Sequence, residues 1–124
     1  MLRFRAWDVE LKEMVRVDAL VLYEQIVRVT YKNGNVFKED AKNYKLMQST
    51  GLKDKNGKEI FEGDIVDYNG RKAVVKWHGS YASFVYMFVD ELRSRNPEWD
   101  PLYLAYMKCE IIGNIWEDGE LLDS

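Results

Sequence analysis

The chain carries few residues able to do covalent chemistry, and their spacing narrows the field further. Its one histidine, His78, stands between Trp77 and Gly79. A general base needs a carboxylate to orient it and a nucleophile within reach. Ser80 and Ser83 supply the second, but no carboxylate stands beside His78 to supply the first. His78 therefore reads as a loop residue at a hairpin end. The one cysteine, Cys109, enters an apolar strand between Lys108 and Glu110. Cysteine is among the most buried residue types, so Cys109 reads as core. A single cysteine excludes an internal disulfide and any CxxC zinc or redox site, and a single histidine excludes a multi-histidine metal centre. Paired carboxylates occur at Glu39-Asp40 and Asp90-Glu91, but neighbours on a strand point to opposite faces, so neither pair converges. GxSxG, HExxH and GxxxxGK[ST] patterns are all missing. The chain is expected not to be an enzyme, with no catalytic residue, no metal ligand and no cofactor.

What is left is binding chemistry. Trp77, His78 and Tyr81, with Arg93 and Arg95 further on, combine stacking surfaces with guanidinium groups suited to phosphate. The competing reading of these aromatics is core or rim packing, which dominates in small folds.

These residues must be positioned by a small framework. At 124 residues the chain has the length of one domain, enough to bury a core without a staple. Hydrophobic residues at 47% and charged ones at 31% argue for a globular protein. The net charge of −3 hides an asymmetry: residues 1–62 carry +2 and residues 63–124 carry −5. Arg28 to Lys58 concentrates the bases, and the last fifteen residues hold acids alone. Such asymmetry suits a nucleic-acid face, attraction between two copies, or a plain solvated surface. No apolar run approaches the ~20 residues of a membrane helix, and no apolar signal core follows the first charges. The cytoplasm is the expected compartment.

Turn chemistry divides the chain into short strands. Arg3 to Trp7 alternates and Met14 to Val17 returns, a hairpin with a longer loop. Asn33-Gly34, Asn56-Gly57 and Asn69-Gly70 each predict a type I′ hairpin turn. Lys72 to Trp77 reads as a half-buried strand, with Ala73, Val75 and Trp77 on one face and Lys72, Val74 and Lys76 on the other. Phe84 to Val89 is a strand, and Asp90 to Arg95 suits one helical turn. Asp100-Pro101 predicts a helix start, with Asp100 as N-cap. Glu110 to Trp116 is a last strand, interrupted at Gly113 by a bulge or close packing. Residues 18–25 and 101–107 fit helix and strand equally well. Many short strands point to a small twisted sheet curling into a barrel.

Three blocks carry a family resemblance. Met47 to Val66 (MQSTGLKDKNGKEIFEGDIV) resembles the YopX family of phage and prophage proteins. Phe4-Arg5-Ala6-Trp7-Asp8 is similar to that family's opening, and Ile111 to Leu122 to its close. The resemblance implies a mainly β fold with an SH3-like barrel, antiparallel hairpins and one or two helical turns. N-terminal hairpins over 1–45 would pack on a barrel of about 46–124. It implies no activity. Most of the shared residues read as turn and core positions; Arg5, Trp7 and Asp8 exceed what packing requires. The candidate ligand-binding residues are thus Arg5, Trp7, Asp8, Trp77, His78, Tyr81, Arg93 and Arg95. The expected role is a non-enzymatic phage or prophage accessory protein that acts by binding, as a homo-oligomer. The alternatives are inhibition of a host protein, sequestration of a host defence nucleotide, and weak nucleic-acid binding at most. No membrane partner is expected.

Overall fold

The computed structural model describes residues 2–123, which form eleven strands in two antiparallel sheets. The chain divides into two compact units between Gln48 and Ser49, a point inside strand β5 (Tyr44–Lys53).

The first unit holds β1 (Phe4–Asp8), β2 (Glu13–Val21), β3 (Ile26–Thr30) and β4 (Val36–Asp40), in the order β4-β3-β2-β1 followed by the opening half of β5. Every neighbouring pair is antiparallel, the hairpin pairs β1–β2, β2–β3 and β3–β4 because their connections are short. Alternation sends Ala6, Val15, Val27, Val29 and Tyr44 into one buried cluster, while Arg16 and Arg28 face solvent. Residues 18–21 complete β2, and residues 22–25 are its turn, so that segment is strand and turn and not helix.

In the second unit the rest of β5 pairs with β6 (Glu59–Phe61). The larger sheet has the order β10-β9-β8-β7-β11. Its members are β7 (Asp64–Tyr68), β8 (Arg71–His78), β9 (Ser83–Phe88), β10 (Asp100–Pro101) and β11 (Glu110–Asn114). The sheet does not close into a barrel, because its order ends at β10 and β11. Both of its faces are covered instead. One carries Ile60, Val66, Ala73, Val75, Tyr86, Leu102 and Cys109; the other carries Ile65, Val74 and Val89 with Leu121 and Leu122 against them. This corrects the half-buried reading of β8: Val74 is as buried as Val75, and Trp77, expected inside, is half exposed.

Local chemistry explains the remaining differences. Asn69-Gly70 makes the type I′ turn, both residues having positive φ. At the other two Asn-Gly pairs only the glycine does. Gly34 N–H donates to Tyr31 O and Gly57 N–H to Asp54 O, each at 2.9 Å. These are therefore three-residue loops with the glycine after an ordinary turn, and not type I′. Asp100 is no helix cap: Asp100 and Pro101 lie extended opposite Tyr86 and Val85, and the 3-10 turn Leu102–Leu104 begins only after Pro101. A proline lacking N–H is tolerated on such an edge. A 3-10 turn also covers Val89–Glu91. Register shifts between Ile111 and Gly113, leaving Ile112 as a bulge. A Cβ on Gly113 would lie 2.6 Å from Oδ2 of Asp118, whose carboxylate accepts the Asn114 N–H. Glycine is required there by close approach.

Candidate functional site

Arg5, Trp7 and Asp8 all lie on β1, so the pleat places Arg5 and Trp7 on one face and Asp8 on the other. The structure does not bring them together. Asp8 is buried at the end of the strand, where Oδ1 accepts the Glu10 and Leu11 N–H groups at 3.0 Å. Its Oδ2 accepts the Tyr31 hydroxyl at 2.6 Å. Because the Tyr31 proton is committed to Asp8, the Tyr44 hydroxyl at 2.7 Å donates to Tyr31. Burial opposes the Asp8 charge, but these hydrogen bonds outweigh it and hold the carboxyl below its usual range. Tyr31 is pushed far above the usual tyrosine range by burial and by its bond to the Asp8 carboxylate, so it stays neutral. Asp8 is a loop cap and network anchor, at the base of an open groove of about 860 Å³ rimmed by Glu13, Phe37, Glu39 and Lys45.

Among the other candidates, His78 and Tyr81 do meet, at 5.2 Å between ring centroids, and Trp99 joins both at 4.5 and 4.6 Å. Trp99 gives no sequence signal, being eighteen residues past Tyr81. The three rings pack against one another edge-on or tilted, and Tyr81 is the most exposed of them, at 66%. Trp77 turns instead to Phe84, at 5.0 Å. Arg93 and Arg95 are exposed on the loop after the 3-10 turn that ends at Glu91. Of the paired carboxylates, Asp40 faces Lys42 and Asp90 bonds Arg71 at 2.8 Å. Cys109 is fully buried, and burial with Asp54 nearby pushes its thiol up to about 11, far from a reactive thiolate. Among the described residues no His, Cys, Asp and Glu cluster could hold a metal, and no helix is long and apolar enough to cross a membrane.

The residues of the three blocks are consumed in the fold. Asp54 Oδ1 accepts from Asn56 and Lys58, and its Oδ2 from Ile111 on β11. Asp64 Oδ2 accepts the Phe61 N–H at 2.7 Å. Asn114 Oδ1 accepts from Trp116 and Glu117.

One surface has no counterpart in the sequence reading, the outer side of β4. Tyr31 N–H donates to Asn35 O and Ala41 N–H to Gln25 O, each at 2.8 Å, which fixes the phase of the β3–β4 ladder. Hydrogen-bonded pairs then recur at Val29/Phe37 and Val27/Glu39. Val36, Lys38 and Asp40 consequently direct their backbone N–H and C=O groups away from β3. Among the described residues no strand pairs with them. Flanking this row, Val36 is 47% and Phe37 45% exposed, Phe37 standing edge-on to Tyr31 at 5.5 Å.

Similarity to known proteins agrees with this architecture. The crystal structure of protein EF1440 from Enterococcus faecalis matches with a TM-score of 0.70 and 28% identity, over 99% of each chain. No curated protein matches. The family model described as YopX protein matches residues 3–123, and with nearly its whole length covered the chain belongs to the YopX family.

Proposed function

We propose that this protein is a non-enzymatic phage or prophage accessory protein that acts by binding, as a homo-oligomer, in the cytoplasm of its bacterial host. The free outer edge of β4 carries the reading. Outward-facing Val36 and Lys38 offer backbone donors and acceptors that no strand takes up, beside two half-exposed apolar side chains, while the C=O of Asp40 is used as the N-cap of the 3-10 turn Ala41–Asn43. An extended segment added to such an edge gains main-chain hydrogen bonds for affinity and side-chain pairs for specificity. Proteins usually blunt an edge with charge or cover; here Lys38 supplies part of the charge and no cover is present among the described residues. Five residues are a short edge, so association is weak and concentration-dependent.

Light scattering over a range of concentrations tests this. The mass should climb above 14.7 kDa for the parent chain. Lys38→Pro removes an N–H that points away from β3, and proline is tolerated on an edge at that phase. The variant should remain at monomer mass with an unchanged circular dichroism spectrum. A parent chain that is monomeric at every concentration, or a folded Lys38→Pro that associates as well as the parent, sinks the reading.

A further inference from the structure

We infer that the occupant of the β4 edge is a second copy of this chain, paired antiparallel about a two-fold axis at Phe37. The inference rests on the edge being a binding surface. Backbone phase limits the choices, because an outward-facing residue must meet an outward-facing residue. Three registers pair at least three β4 residues. The first sets Val36 opposite Lys38 of the second copy, the next sets Lys38 opposite Lys38, and the last sets Lys38 opposite Asp40.

Side-chain chemistry separates them. The middle register puts two ammonium groups directly across from each other. The last places Glu39 against Glu39 at the closer, non-hydrogen-bonded spacing, where like charges repel most. The first has no like charges directly opposed. It puts Phe37 against Phe37 at that close spacing, where an aromatic pair is favourable. On the same face, Asn35 of each copy meets Glu39 of the other, an amide donor against a carboxylate. On the opposite face the Lys38 stem lies along Val36, and the two ammonium groups are diagonal and free to diverge into solvent. The edge is self-complementary in this register alone.

Cysteine cross-linking in the full chain tests the register, with the buried Cys109 silent. Phe37→Cys should form a disulfide dimer under mild oxidation roughly tenfold faster than Val36→Cys or Lys38→Cys, since only its pair has cross-strand disulfide geometry. Replacing Phe37 removes the aromatic pair, so a second experiment leaves it in place. Asn35→Cys mixed with Glu39→Cys should cross-link, and neither variant should do so alone. Dominant cross-linking by Lys38→Cys or by Glu39→Cys alone overturns the register. Slow reaction at every position, in a chain that light scattering finds dimeric, overturns β4 as the contact. A parent chain monomeric throughout is a different failure, that of the binding reading itself.

Discussion

Asp8 and Asp54 perform the same task in different units: each carboxylate is buried and accepts two nearby backbone N–H groups plus one distant donor. In both, burial opposes the charge and the hydrogen bonds outweigh it, so the folded pKa lies below the ordinary value. Such a group contributes stability that is complete above its unfolded pKa, about 3.9, and is lost as pH falls through the folded value. The melting temperature of the parent chain should therefore fall on acidification below about pH 4. Asp8→Asn with Asp54→Asn should cost about 1–3 kcal/mol per site at pH 7 and flatten the acid limb of the profile. A double variant that loses stability as steeply as its parent below pH 4 would falsify this assignment. The capping role of Asp54 was legible, because a carboxylate beside Asn-Gly can satisfy turn backbone. Its bond to Ile111, 57 positions away, was not. Asp8 looked available for a ligand because its third partner, Tyr31, is 23 positions distant.

Among the elements, all three turns were read correctly as places, but only Asn69-Gly70 correctly as a type. Asn-Gly marks all three hairpins, yet the dipeptide is compatible with two backbone solutions, and the neighbouring strand register selects between them. Only Asn69 has positive φ, at 53°. Asn69→Gly should thus be neutral or stabilising. Asn33→Gly should destabilise by about 0.5–1 kcal/mol, because glycine there adds unfolded-state entropy and removes the Asn33 Oδ1 that accepts the Asn35 N–H. Urea denaturation of both variants decides the matter: equal shifts would mean that the two turns share a conformation. The Asp100-Pro101 error has a related origin. A proline φ near −62° serves helix and strand alike, and pairing with β9 sets ψ. Val74 was misplaced because alternation reports which residues share a face, not whether the far face is also covered.

For the molecule as a whole, composition and the three blocks were enough to find a mainly β fold and its family, since the shared residues are those that turns and tight approaches demand. Barrel closure was not legible, because nothing in a strand's own sequence says whether it ends a sheet. The charge asymmetry survives in the fold: residues 1–48 carry +2 and residues 49–124 carry −5. The β4 edge has a further consequence for how large any assembly grows. A contact that is its own complement is spent once two copies have met, whereas a contact between two different edges leaves a fresh one at each end and extends into a fibre. The β4 edge therefore has a valence of one. At saturating concentration the mass should level at twice 14.7 kDa, with solutions that stay clear. A mass that keeps rising, or turbidity, would show that an unlike edge takes part. Because termination is written into the geometry of a five-residue strand, a chain that pairs through this edge would be shielded from polymerising by the very surface that lets it associate.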